Sequence, residues 1–302
     1  MRVFVTGASG HIGSAVVPEL LSSGHEVVGL ARSDASAAMI EAAGAAVQRG
    51  DLDDLDVLRA AAADADGVIH LAFKHEAMRT GNFASAITAD FSAIQAIANG
   101  LDGSGKPFVS TSGTLMLARG GISGRPGTEA DAIPEGPRVD AENFVIGLSE
   151  RGVRSSIVRL PPLVHSDLDR HGFGPTLIAI ARGKGYAGYP EDGANRWPAG
   201  HTLDAAAVYR LALESAPAGS RFHAVGDEGI PFRDIAEAIG RNLDLPARSV
   251  STDKTEGYFA FLSPFVGLDN PTSSAITRTV LDWKPVHRGL IDDLDAGHYF
   301  QQ

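Results

Sequence analysis

The chain reads as an α/β protein built on a Rossmann-type doubly wound parallel sheet, with a smaller C-terminal lobe. Three observations predict this. A strongly apolar start, Met1–Val5, runs into Thr6-Gly7-Ala8-Ser9-Gly10-His11-Ile12-Gly13, and an apolar segment to Leu21 follows at once. Short apolar runs and helical segments then alternate through the first half, the order of a parallel sheet with helices on both faces. After Leu160 the alternation gives way to Gly-, Pro- and charge-rich sequence.

The first strand is expected over Val3–Thr6 and the first helix over Gly13–Ser22. Between them Gly7 makes the tight turn and Gly10 lets the main chain touch a phosphate. Gly13 lets the helix close onto the strand. Free N–H groups and a partial positive charge at the helix start favour an anion. Thr6, Gly7, Ser9, Gly10, His11, Ile12 and Gly13 are therefore candidate binders of a dinucleotide's pyrophosphate. A ligand-free turn is the bland alternative, and the second strand, Glu26–Leu30, argues against it.

Further strands are expected over Ala46–Arg49, Gly67–Leu71, Pro107–Ser110 and Ser156–Leu160, apolar enough to be buried on both faces. Helices are expected over Ala35–Ala43, Asp54–Ala62, Phe83–Asn99 and Val139–Arg151. Ala118–Pro137, rich in Gly and Pro, reads as a long loop over the carboxyl edge of the sheet. Pro161-Pro162 ends the sixth strand. Ser166–Pro198 carries one helix around Thr176–Ala181. A helix over Leu203–Ser215, a strand over Arg221–Val225 and an amphipathic helix over Phe232–Asn242 follow, the last with Ile235, Ala236 and Ile239 on one face. Residues 1–162 with about 203–226 form the expected nucleotide-binding domain. About 163–202 and 227–302 form the substrate lobe.

The 302 residues are 44% hydrophobic and 21% charged, ordinary for a globular protein. A net charge of −11 argues against nucleic acid and anionic membranes as partners. No apolar stretch approaches about 18 residues, and neither a signal peptide nor a membrane span is read, so a cytoplasmic location is expected. The absence of cysteine excludes disulfides and thiolate chemistry. No metal site is expected.

The Gly-x-x-Gly-x-x-Gly spacing differs from that of ordinary dehydrogenases. It resembles the signature of the extended and atypical short-chain dehydrogenase/reductases, the NAD(P)-dependent epimerase/dehydratase-like family. Arg49-Gly50-Asp51-Leu52, His70-Leu71-Ala72-Phe73, Phe108-Val109-Ser110-Thr111-Ser112-Gly113, Val158–His165 and Asn195–Asp204 continue the resemblance. It implies that Asp51 approaches the adenine amino group, with Leu52 packing along the base, although Asp51 also suits a helix cap. Leu71 and Ala72 line the ribose and diphosphate. Ser110 and Pro161 border the cofactor, and His70 packs and bonds to backbone. In NAD-preferring relatives an acid ends the second strand, whereas Arg32-Ser33 stands here. Arg32 pairs with a 2′-phosphate and Ser33 adds a hydroxyl, so NADP(H) is preferred over NAD(H), with Asp34 softening the preference.

The resemblance also implies a Ser after the fifth strand and a Tyr-x-x-x-Lys pair on the next helix. Ser112 supplies the first. At the second, Arg138 stands in the tyrosine position and Glu142 in the lysine position. An arginine donates no proton at pH 7, and all five tyrosines lie beyond residue 185. The match is to the atypical subgroup lacking the pair. Arg138 and Glu142, four apart, are expected to pair, and restoring Arg138→Tyr with Glu142→Lys is expected to leave the fold intact. His165 is the first-choice replacement proton donor, among Lys74, His75, Arg196 and His201 as polar lining. His201 and Asp204 also suit a lobe junction.

These residues point to an NADPH-dependent oxidoreductase acting on a small carbonyl substrate. The alternatives are a non-catalytic NADP(H) sensor and, behind it, a nucleotide-sugar epimerase or dehydratase. A homodimer is expected through Phe83–Asn99 and Val139–Arg151, with Val139, Phe144 and Leu148 as apolar contacts.

Overall fold

The computed structural model describes residues 1–75 and 82–301. Seven parallel strands form the main sheet: β1 (Arg2–Thr6), β2 (Glu26–Ala31), β3 (Ala46–Arg49), β4 (Gly67–His70), β5 (Pro107–Gly113), β6 (Arg154–Leu160) and β10 (Ser220–His223). Their order is β10-β6-β5-β4-β1-β2-β3. The chain therefore leaves β1 in one direction and returns at β4 in the other, opening a crevice at the carboxyl ends of β1 and β4.

Both faces are covered, which explains the continuous apolar strands. Helices Gly13–Ser22, Asp34–Ala42 and Thr202–Ser215 pack on one side, with Val16, Leu20, Ile40 and Tyr209 in its core. Helices Leu55–Asp64, Phe83–Leu101 and Val139–Gly147 cover the other, around Phe4, Leu58, Ile97 and Phe108. The last of these ends in a 3₁₀ turn, Leu148–Arg151, rather than continuing as α-helix.

A second core gathers Leu163, Leu177, Trp197, Phe232, Ile235, Ile239 and Phe259. Around it lie β7 (Leu163–His165), β9 (Arg196–His201) and β11 (Asp227–Pro231) in one small sheet, and β8 (Ala187–Pro190) with β12 (Ala247–Val250) in another. None of these five strands falls in a segment where the sequence pattern predicts a strand. They are short, and Pro190, Pro198, Pro231, Gly188 and Gly200 interrupt any alternation.

The helix expected to carry the Tyr-x-x-x-Lys pair is held by a buried ion-pair network. Glu142 and Arg159 are 4% and 1% exposed. Arg159 Nε donates to Glu142 Oε2 at 3.1 Å, and Arg221 Nε donates to Oε1 at 2.8 Å. Burial raises the Glu142 carboxyl, but Arg159, the Ser112 hydroxyl and Arg221 outweigh it and hold the group below its ordinary value. Arg159 also donates to the Asp131 carbonyl at 2.8 Å, tying down the loop over residues 120–138. His223 completes the set. Burial drives its imidazole down to about 4, so the neutral ring donates from Nδ1 to the Ser273 carbonyl and accepts from Arg159 at Nε2.

This corrects the expected pairing and bears on two further expectations. Glu142 pairs with Arg159 and Arg221, not with Arg138. Restoring a lysine at 142 would place three cations together in the interior. Val139 and Leu148 are buried inside the chain, at 6% and 1% exposure, which removes two of the three contacts invoked for a dimer. The third, Phe144, meets Phe91 edge-on at 5.4 Å.

Removing one member of a buried pair leaves the other charge without compensation. Glu142→Ala is expected to cost about 3–5 kcal/mol in urea-unfolding stability, and Arg138→Tyr with Glu142→Lys should fail to fold. Native-like stability of that double variant would contradict the account.

Candidate active site

The glycine loop has the shape of a cradle. Gly7 lies at φ +70°, and a Cβ there would meet the Ala72 nitrogen at 2.8 Å. A Cβ on Gly13 would stand 2.1 Å from the Gly7 carbonyl, so only glycine lets the helix start this close to β1. Gly10 is exposed, and its added Cβ would meet only the Gly7 carbonyl, at 3.2 Å. Its free side faces outward. No side chain caps the helix Gly13–Ser22; Ser14 and Ala15 already donate to the Gly10 and Ile12 carbonyls at 2.8 and 3.1 Å, so the N–H groups left for an anion are those of His11, Ile12 and Gly13. Ser9, His11 and Ile12 line the same turn, partly exposed.

Beneath the loop runs a buried relay. Thr6 Oγ1 accepts from the Ala72 N–H at 3.3 Å and lies 2.8 Å from His70 Nδ1. His70 Nε2 meets Asp90 Oδ1 at 3.2 Å. The chemistry fixes the tautomer: Nε2–H donates to the carboxylate and Nδ1 accepts from the threonine hydroxyl. His70 therefore bonds to side chains rather than to backbone, and Thr6 underpins the cradle instead of facing out of it.

At the end of β2, Arg32 is exposed and has no carboxylate partner among the described residues. Asp34 is engaged elsewhere, by Arg49 at 2.6 Å. Ala31 and Arg49 are paired positions of β2 and β3, so Arg32 follows directly on the residue opposite Arg49. Ser33 caps the helix Asp34–Ala42 through a reciprocal bond with Ser36. Asp51 donates its backbone N–H to Asp54 at 2.7 Å and does not cap the helix that follows, while Leu52 is buried in the core. Leu71 and Ala72 are half-buried at the mouth, and Pro161 is buried.

The strand β5 runs three residues beyond its expected end and carries Ser110 and Ser112 within it. Both hydroxyls are buried and lack a partner in hydrogen-bonding geometry. Thr111, on the opposite face, bonds to the His70 carbonyl and to Tyr209 Oη, both at 2.8 Å. His165 belongs to a different cluster. Its Nδ1 meets Asp293 at 2.9 Å, its ring packs edge-on against His201 at 5.4 Å, and its Nε2 is buried without a partner. Among the described residues, no hydrogen bond or ring contact joins Ser112 to His165.

Sequence reasoning missed what links the glycine loop to the C-terminal half. His11 Nε2 bonds to Thr202 Oγ1 at 2.8 Å, and its Nδ1 lies 3.5 Å from the buried Asp169. Asp204 receives the N–H groups of Val286 and His287 at 3.0 and 3.1 Å, and the His287 ring at 2.8 Å. His201, Asp204 and His287 bring donor atoms within 4.8 Å of one another. The two imidazoles, however, stack at 10°, and Asp204 is already consumed by the backbone it clamps. That is the geometry of a junction. The partners lie too far apart in sequence for any local pattern to reveal them.

With the site described, relatives can be compared. Residues 3–131 match the model of the NAD dependent epimerase/dehydratase family. An uncharacterised protein of Schizosaccharomyces pombe is 46% identical over 302 residues, covering 99% of this chain and 100% of that one. The chain belongs to the epimerase/dehydratase family. A 4-hydroxy-2-methyl-3-oxo-4-farnesyl-3,4-dihydroquinoline-1-oxide ketoreductase of Stigmatella aurantiaca is 27% identical over 246 residues, 78% of this chain and 71% of that enzyme. The structure of a dTDP-glucose 4,6-dehydratase from Streptomyces venezuelae, with NAD bound, superposes with a TM-score of 0.78 at 19% identity, covering 100% and 97% of the two chains. It shares the fold. Among the described residues, no helix is long and apolar enough to cross a membrane.

Two groups at the junction titrate in opposite senses. Burial, with His165 nearby, lowers His11 to about 4. Burial raises Asp169 to about 6, against the N–H groups of Gly172 and His171. On acidification the unfolded chain takes up a proton at His11 first, which destabilises the fold; the folded chain takes one up first at Asp169, which stabilises it. Asp169→Asn should therefore lose urea stability more steeply than the native protein between about pH 6.5 and about 4. Parallel pH profiles would contradict this.

Proposed function

We propose that the protein is an NADPH-dependent oxidoreductase acting on a small carbonyl compound. The observation that carries the reading is Arg32 at the end of β2, which has no carboxylate partner among the described residues, with Asp34, two residues on, turned to Arg49. The cradle fits a dinucleotide: Gly10 leaves its outer face open, and Gly7 and Gly13 hold the turn where a Cβ would collide. When bound, the nicotinamide supplies a hydride. The chain's own residues bind and orient. The N–H groups of His11, Ile12 and Gly13 take the diphosphate, Arg32 the 2′-phosphate, and Leu71, Ala72, Ser110 and Pro161 border the rest.

The substrate is assigned to the lobe over about 163–202 and 227–302, against the carboxyl edge of β5. Ser112, whose buried hydroxyl lies close enough to Glu142 to lower its carboxyl but outside good hydrogen-bonding geometry, is assigned to the substrate oxygen. His165 is assigned to the proton: Asp293 fixes Nδ1–H and leaves Nε2 free. The ketoreductase relative supports a reductive direction. One observation favours the sensor reading: Ser112 is 5% exposed, and the lysine position is occupied by a buried glutamate. Consumption of NADPH over a panel of carbonyl compounds separates the two. Tight binding without consumption of NADPH by any member of the panel would overturn the oxidoreductase reading.

Arg32→Ala is expected to weaken NADPH at least tenfold by calorimetry, about 1.4 kcal/mol, and NADH little. Gly10→Val should retain the fold and lose both cofactors, because its side chain occupies the anion's place. Equal affinity of the native protein for NADPH and NADH would contradict the assignment of Arg32.

A further inference from the structure

Arg138 stands where the family resemblance leads one to expect a tyrosine, and its surroundings are unlike those of a surface arginine. The residue lies at φ +66°, a left-handed conformation that a long side chain adopts only when its surroundings impose it. Its guanidinium carbon sits 4.1 Å from the centroid of Phe73, three residues past the end of β4. One nitrogen, Nη2, donates to the Thr111 carbonyl at 3.3 Å, immediately before Ser112 in β5. The head group is thus fixed over the carboxyl ends of β4 and β5, where doubly wound sheets bind their ligands.

Among the described residues no carboxylate pairs with it. Among the same residues Arg49, Arg125, Arg159, Arg196, Arg221 and Arg241 each face an acid; Arg278, on Trp283 and the Gly226 carbonyl, does not, so what sets Arg138 apart is its place over β4 and β5. The chain carries a net charge of −11, with 37 acidic side chains available. A half-buried guanidinium kept clear of the described ones, held by a ring and a carbonyl that leave its charge uncompensated, has the electrostatics of an anion receptor. Its fork of N–H donors matches the two oxygens of a carboxylate.

We propose that Arg138 is a specificity-determining residue that binds the carboxylate of the substrate, and that the substrate is a carbonyl compound carrying a carboxylate beside the reacting carbonyl. The proposal rests on the oxidoreductase reading for the word substrate, but not for the binding of the anion. It assigns Arg138 recognition and orientation, with no proton transfer. The hydroxyl of Ser112, one residue beyond the carbonyl that holds the guanidinium, then meets the neighbouring oxygen.

The test uses phenylglyoxylate and its methyl ester, two molecules that share a carbonyl and differ in charge. Binding to the NADPH-loaded protein is followed by cofactor fluorescence, and turnover by NADPH consumption. The native protein is expected to bind the carboxylate at least tenfold more tightly than the ester. Arg138→Gln should reduce that discrimination at least tenfold, and Arg138→Lys, which keeps the charge and loses the fork, should fall between. Should Arg138→Gln not fold, the native comparison still decides. Anion binding that depends on Arg138 without NADPH consumption would uphold this inference while the oxidoreductase reading fell. Equal handling of carboxylate and ester by the native protein would overturn it even if both were reduced. An equal loss of NADPH affinity in Arg138→Gln would also overturn it, by assigning the guanidinium to the cofactor.

Discussion

The buried pair of Glu142 and Arg159 is the constraint on which the chemical end of this molecule depends. Arg159 lies in a central strand, flanked by Val158 and Leu160, where an isolated cation is very costly. Glu142 reaches it from the covering helix, Arg221 shares the carboxylate from β10, and the same guanidinium holds the Asp131 carbonyl. One ion therefore fixes a helix, two strands and the long loop above them. The helix cannot turn residue 142 toward a bound ribose without breaking this set.

The two ends of the crevice have diverged in consequence. At the glycine loop the elements that hold a dinucleotide are present and reinforced from below by Thr6, His70 and Asp90. Across β5 the two positions where the family resemblance leads one to expect a tyrosine and a lysine hold an arginine at φ +66° and an interior carboxylate. Once Glu142 is drawn under β6, the start of the helix is left to Arg138, which turns to Phe73 and Thr111. A cation that cannot donate a proton suits recognition better than acid–base work.

Much of the Rossmann half was legible in the sequence because its strands are buried on both faces and its turns are marked by glycine. Gly13–Ser22 and Ala46–Arg49 begin and end where the pattern places them. The small sheets were not legible: β8, β9 and β11 are short and interrupted by proline and glycine, and β12 has only four residues. The glycine loop was readable because its chemistry is contiguous. The ion-pair network was not, since nothing local relates Glu142 to Arg159 or Arg221. One signal was available. An arginine inside Ile157-Val158-Arg159-Leu160 has to find a buried acid, and the covering helix offers Glu142. The junction histidines gave no such hint, for His165 and Asp293 lie 128 residues apart.

The most direct measurement is a crystal structure with NADP⁺ bound. The account predicts the diphosphate on the N–H groups after Gly10, the 2′-phosphate on Arg32, and the nicotinamide beside Thr111 and Ser112 with Arg138 facing the open side. A 2′-phosphate in solvent, or a nicotinamide directed away from the edge of β5, would contradict it.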